Sequence, residues 1–230
     1  MELKVHWHKE VASKFPELAL CTGIIRKVKV QPTTPEIEKL RNEIFEEARR
    51  SFVLETLKDN PIVRAYRDFF WRLDIDPTKT RPSGEALLRR VLQGKEIPKI
   101  SNVVDAYNLA SLKTIIPLSG YDLDTLFPPL IVRFSNENDV FQGIGMDSPV
   151  KLEKKMLLLT DQKRILCIYP HRDADATKIT GKTENVLIVG YGAPKIDGEK
   201  LREAVITALE LIRRVAGGTI EDVELHPCTA

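Results

Sequence analysis

The stretch IPKISNVVDAYNLASLK, Ile97 to Lys113, constrains the fold more than any other part of the chain. It is apolar on almost every side except at Asn102, Asp105, Asn108 and Ser111, which recur at every third position. On an α-helix a step of three drifts by only about 60°, so these short polar groups form one slanted seam. A helix this apolar is mostly buried, and its polar groups must find partners. Two readings are open. In one, Asn102 caps the helix, Asp105 is a first-turn acid, and Asn108 and Ser111 bond a neighbouring loop. In the other, Asp105 and Asn108 stand at the floor of a pocket.

The flanking sequence supplies both helices and strands. KVHWH and CTGIIRKVKV read as strand, turn, strand. Thr33-Thr34-Pro35-Glu36 marks a helix start, and Ile37, Leu40, Ile44 and Ala48 carry its apolar stripe to about Leu57, with a break near Ser51. The segment from Asn60 to Lys95 predicts a short amphipathic helix, a proline-containing loop, and a second helix capped by Ser83 and closed by Gly94. From Thr114 onward LIVRF, VFQGIG, MLLLT and RILCIYP alternate with polar turns, and NVLIVGYG reads as a buried strand. A last helix spans about Glu199 to Val215. With no internal repeat and no low-complexity linker, residues 1–230 are expected to form one mixed α/β domain.

Charge and cysteine usage narrow the function classes. The net charge of +2 and pI of 8.3 fall below the footprint of a dedicated nucleic-acid binder, roughly pI 9 and above, so RNA contact requires a local patch. The densest one holds Arg64, Arg67, Arg72, Lys79, Arg81, Arg89 and Arg90, with Asp68, Asp74, Asp76 and Glu85 among them. Arg81, Arg89 and Arg90 are the candidate phosphate contacts; a mixed solvated surface is the alternative. Cys21, Cys167 and Cys228 have no metal or disulfide spacing, and no segment approaches the ~20 apolar residues of a membrane span. With no signal-peptide pattern at the start, a cytoplasmic protein is expected. His6 and His8 share a strand face but lack a third ligand. His226 and Cys228 lie near a terminus expected to be mobile, and Gly143 to Gly145 lack the rest of a phosphate loop, so neither metal nor cofactor is expected.

Four ordered motifs carry a family resemblance. RPSGEALLRRV, IPKISNVVDAYNLASL, GYDLD and YPHRDADATKITGKTENVL, spread over about Tyr66 to Val189, resemble the B3/4 domain of the phenylalanyl-tRNA synthetase beta subunit, most of all its free-standing versions. That domain hydrolyses mischarged tRNA in the synthetase. The resemblance therefore implies a three-layer β/β/α sandwich, a pocket between two halves, and tRNA or aminoacyl-tRNA as partner, with modest affinity. Two pocket positions of the family differ here. Val189 stands where the family's run ends in Glu, and Ser119 where an H-A-F-D motif has His.

The resemblance also directs attention to the residues left to do chemistry. Ester hydrolysis needs a positioned water, an oxyanion partner and a recognised ammonium. Asp105, Asn108 and Asp173 are the candidates to hold water. Asn102, Ser111, Ser119, Tyr121, Asp122, His171, Arg172, Thr177, Thr180 and Thr183 are the candidates to contact substrate. For the segment from His171 to Thr183 the competing reading is turn chemistry, in which Asp and Thr side chains bond nearby backbone. At the level of function, trans-hydrolysis of a mischarged aminoacyl-tRNA stands beside a non-catalytic binding module for an amino acid or RNA end, and an enzyme acting on a different small substrate.

Overall fold

The computed structural model describes residues 3–228. The chain runs β1 (Val5–Trp7), α1 (Lys9–Lys14), β2 (Ala19–Arg26), α2 (Pro35–Ser51), α3 (Pro61–Arg72), α4 (Ser83–Leu92), α5 (Asn102–Thr114) and β3 (Leu118–Asp122). It continues through β4 (Leu130–Phe134), β5 (Val140–Phe141), β6 (Val150–Lys151), β7 (Leu157–Thr160), β8 (Ile165–Ile168) and β9 (Arg172–Asp173). It ends with β10 (Asn185–Tyr191), α6 (Gly198–Ala216) and β11 (Thr219–Pro227).

One sheet has the order β1-β4-β7-β8-β9 and a second has β11-β2-β10-β3, while β5 and β6 form a hairpin. The sheets face each other: Tyr169, just after β8, stacks edge-to-face on Tyr191 of β10 with centroids 4.9 Å apart and donates to the Gly192 carbonyl at 2.7 Å. Helices α5 and α6 pack together, α5 on β3 and α6 across β2, β10 and β11, which completes a β/β/α stack. Strand β10 is covered on both faces, which is why its sequence has no polar alternation. On the outer face of the first sheet, the β5–β6 hairpin closes a second apolar cluster of Phe141, Leu152, Leu158, Ile165, Ile168 and Ala174.

The seam on α5 is resolved residue by residue. Ser101, not Asn102, caps the helix, accepting from the Val104 N–H. Asn102 is instead a latch: its amide donates to the carbonyls of Lys29 and Val215, each at 3.0 Å, and its oxygen accepts from the Gln31 N–H at 2.9 Å. Asp105 is 1% exposed and accepts from Arg41 Nη2 at 2.9 Å, the Ile100 N–H at 3.0 Å and the Thr33 hydroxyl at 3.4 Å. Burial raises its pKa, with the Ile100 amide and Arg41 opposing. Ser111 donates to the Ile116 carbonyl at 2.7 Å, and Asn108 is half-buried. The oxygens of Asp105 join α2, α5 and the preceding loop, which favours the framework reading of the seam at this residue.

Other expectations are corrected at element ends. The first strands are separated by α1, a six-residue helix too short to show a period in sequence. Helix α2 ends at Ser51, and a separate 3-10 turn occupies Leu57–Asp59. Ser83 is the first residue of α4 and makes no cap bond; Pro82 stands before it. The C-terminal segment forms β11, an edge strand pairing with β2, so His226 and Cys228 belong to ordered structure: the His226 ring lies 2.8 Å from the Thr22 hydroxyl.

Gly84 explains one residue of the RPSGE motif. A Cβ there would sit 2.5 Å from the Ile115 carbonyl oxygen, where α5 ends in a left-handed residue with φ 62°. Because the obstacle is backbone, Gly84→Ala is expected to cost about 1–3 kcal/mol, read as a lowered midpoint in urea unfolding with an unchanged slope. A midpoint equal to wild type would contradict the close packing of α4 on α5.

Candidate ligand-binding site

Opposed residues on paired antiparallel strands point to the same side of a sheet, and neighbours along a strand alternate. In β3, a Cβ on Gly120 would lie 2.6 Å from the Tyr107 ring of α5, so Gly120 faces the helices and Ser119 and Tyr121 face the other sheet. Ser119 lies opposite Val189 and Tyr121 opposite Leu187. Across the gap, β9 brings Asp173, whose Oδ1 accepts from Tyr121 Oη at 2.7 Å. The same phenol lies 2.5 Å from Tyr191 Oη. Ser119 and Cys167 lie beside the Asp173 carboxylate, and the Cys167 thiol, which also lies against both phenols, donates to the Ile168 carbonyl at 3.1 Å. Tyr66 of α3 closes the end of the network by donating to the Tyr191 carbonyl at 2.6 Å.

Electrostatics single out one member. Burial pushes the phenols of Tyr121 and Tyr191 and the Cys167 thiol upward, and the Asp173 charge adds to each shift, so all three stay protonated. Burial also raises the Asp173 carboxyl, against the hydrogen bond from Tyr121 and the polar groups of Ser119 and Cys167 beside it. Asp173 has no ion pair among the described residues. It is a half-buried acid that accepts from the Tyr121 phenol and is left without a countercharge.

The other expected residues separate into two groups. Thr183 donates to Asp122 at 2.7 Å and accepts from the Thr180 N–H, while Asp122 also caps the short turn that follows it. Asp122, Thr180 and Thr183 each bond nearby backbone as turn residues do, and the Thr183–Asp122 bond additionally ties the two turns together across 61 positions. Thr177 is fully buried and its hydroxyl has no protein partner. His171 stacks on Phe70 at 6.3 Å, and its buried Nδ1 is likewise without a protein partner. Burial and then the Arg172 charge push its pKa down to about 4, so it is neutral near pH 7. Asp105, tied to Arg41, lies outside the Asp173 cluster.

The basic patch becomes a cavity of about 350 Å³ lined by Lys79, Arg81, Arg89, Arg90 and Lys95, with Ala86 and Gln93 between them. Glu85, 1% exposed, takes the charge of two neighbours: Arg67 grips it at 2.9 and 2.7 Å and Arg89 at 2.6 Å. Burial pushes the Glu85 carboxyl up, but these guanidiniums outweigh it and hold its pKa below the usual range. Arg90 donates to the Glu96 carbonyl, whereas Arg81 and Lys95 have no ion pair among the described residues.

The sequence reading did not include Tyr191, gave Cys167 no metal or disulfide role, and counted Glu85 only among the acids of the basic patch. The alternation Leu187, Val189, Tyr191 places the phenol on the same face as Val189, a signal available in sequence once β10 is taken as a strand.

Residues 65–217 match the B3/4 domain family. The chain belongs to that family. Curated relatives named phenylalanine–tRNA ligase beta subunit include one from Haemophilus ducreyi, 23% identical over 59% of this chain and 20% of its own length. Another, from Dehalococcoides mccartyi, is 34% identical over 39% of this chain and 11% of its own length. The chain thus aligns with about a fifth or less of these relatives. Its fold is similar to an N-terminal fragment of the phenylalanyl-tRNA synthetase beta subunit from Pyrococcus horikoshii, with TM-score 0.52, 13% identity, and coverage of 96% of this chain and 50% of that one. In this B3/4 domain Ser119 and Val189, the two positions singled out by the sequence resemblance, are direct cross-strand neighbours, and Val189 is fully buried.

Proposed function

We propose that this B3/4 domain holds the aminoacyl end of a charged tRNA, with the amino acid's ammonium against Asp173 and RNA phosphates at the cations beside α4. The observation that carries the reading is the uncompensated Asp173. A half-buried carboxylate without a countercharge is partly desolvated at a cost, and such groups concentrate where a ligand supplies the missing charge. An ammonium brings one positive charge and three donors. Relatives named as phenylalanine–tRNA ligase subunits favour an aminoacyl-tRNA over an unrelated amine. The reduced, buried thiols suit action in the cytoplasm.

Hydrolysis of the bound ester is the catalytic form of this reading. Water would add to the ester carbonyl, a base would take its proton, and the ribose oxygen would leave as a hydroxyl. Asp173, with its raised pKa, is the member of the cluster suited to that proton. A non-catalytic binding module is the second reading, favoured by the apolar Val189 packed beside Ser119.

The test is a panel of tRNAs carrying correct and incorrect amino acids, tyrosyl-tRNA for phenylalanine among them, assayed for deacylation and binding. Wild type and Asp173→Asn are run side by side. Deacylation lost in the variant supports the hydrolase. Binding without turnover, weakened in the variant, supports the module. Equal behaviour of the two proteins removes Asp173 from the site.

The phosphate contacts make a separate prediction. The double variant Arg81→Gln/Lys95→Gln is expected to weaken RNA binding regardless of the attached amino acid. It should also make the slope of log affinity against log salt shallower by about 2, one for each lost phosphate contact. An unchanged slope between roughly 50 and 200 mM salt would place the RNA elsewhere.

A further inference from the structure

A second cavity, of about 560 Å³, opens on the rim of the first sheet, on the side of β9 away from Asp173. Its floor is apolar: Phe141, Leu152 and Ile168 are buried, and Met146 and Met156 add flexible thioethers. Val150, 45% exposed, extends this surface outward. Around it stand Lys79, Lys151 and Arg172, with Glu153 the sole acid of the lining. The stem of Arg172 lies over Gly143, where a Cβ would come within 2.8 Å of it, so the guanidinium is carried on a fixed support. Neither Lys151 nor Arg172 has an ion pair among the described residues. The neutral ring of His171 forms part of the wall.

This combination selects a chemical class. A purely apolar ligand would leave two free cations facing it, and a bare phosphate would leave the Met and Phe floor uncovered. A planar ring bearing one phosphate satisfies both, because methionine sulfur packs well on aromatic rings and the cations meet the anion. The volume lies within the range of small-ligand sites. Lys79 also lines the basic cavity beside α4, so the two cavities share a wall.

We propose that this rim cavity is a subsite for a nucleoside monophosphate unit, with the base on the Phe141 and methionine floor and the phosphate between Lys151 and Arg172. The unit has two sources, a free nucleotide or the terminal nucleotide of an RNA. The inference does not depend on Asp173, and the ligands that test it carry no amino acid, so it stands or falls apart from the aminoacyl reading.

The experiment is calorimetric or fluorescence titration of wild type with adenosine 5′-monophosphate, inorganic phosphate, and an uncharged RNA oligonucleotide ending in adenosine. The same titrations are made with Lys151→Gln/Arg172→Gln and with Val150→Glu, whose exposed position leaves the core intact. The expected result is saturable binding of the nucleotide or the RNA, weakened tenfold or more by the double variant and also by Val150→Glu. Nucleotide binding identifies a free ligand as sufficient, and RNA binding alone identifies the RNA terminus as the source. Three results overturn the proposal: no saturable binding of either, binding indifferent to both variants, or inorganic phosphate binding as tightly as the nucleotide at the same residues.

Discussion

Asp173→Asn is expected to separate stability from function. The substitution keeps an acceptor for Tyr121 Oη and removes the charge that the site desolvates. The sign follows from linkage. The folded-state pKa of Asp173 is raised, so its favourable contribution is complete below the unfolded value near 3.8 and is lost as pH rises through the folded value. At neutral pH the ionised carboxylate therefore counts against folding, and the asparagine variant should be at least as stable as wild type. A gain of about 1 kcal/mol, typical of relieving a functional site, would raise Tm by roughly 2–4 °C. The same variant should bind an aminoacyl ligand ten- to a hundredfold more weakly, as follows from losing a charge-assisted bond of about 1.5–3 kcal/mol. Thermal unfolding at pH 7 and at pH 4, with ligand titration of both proteins, measures all three quantities. A variant that is less stable at pH 7 and binds normally would make Asp173 a fastener between the sheets.

Asp105→Ala should do the opposite: a large loss of stability with no change in chemistry per folded molecule. Removing the carboxylate leaves the Arg41 guanidinium, whose side chain is 3% exposed, with only the longer contact from its Nε to the part-exposed Glu38 carboxylate at 3.6 Å. Breaking a buried pair from one side costs about 3–5 kcal/mol, a large fraction of the total stability of an ordinary domain. The loop amide of Ile100 loses its acceptor as well. Asp105→Ala with Arg41→Met should recover most of the loss, since an apolar pair of similar volume needs no countercharge. Chemical denaturation of the single and double variants tests this. A single variant within about 0.5 kcal/mol of wild type would show that the pair does not hold α2 to α5.

Much of this was legible in the amino-acid order, because period, capping residues and charge signs are local properties. The α5 seam announced a buried helix with partners to find, the apolar run of β10 announced a strand covered on both faces, and the motifs from Tyr66 to Val189 pointed to the B3/4 domain before any contact was known. The cations beside α4 were visible as a patch. Asp173, Ser119 and Tyr121 were named as candidates from residue type and resemblance. The short α1 was not visible, since six residues hold less than two turns of periodic signal.

The tertiary structure decided which candidates are neighbours. Asp173 and Tyr121 are 52 positions apart in the chain and share a hydrogen bond; Asp105 and Arg41 are 64 apart and share a buried charge pair. Equal-looking aspartates thus received different tasks: one was given a guanidinium and became framework, the other was given a neutral phenol donor and kept its charge uncompensated. Sequence by itself determined the elements, the family and the chemical types available, because these follow from local pattern. Which carboxylate has a countercharge depends on the approach of distant segments through a low-dielectric interior, and only the packed sheets and helices determine that.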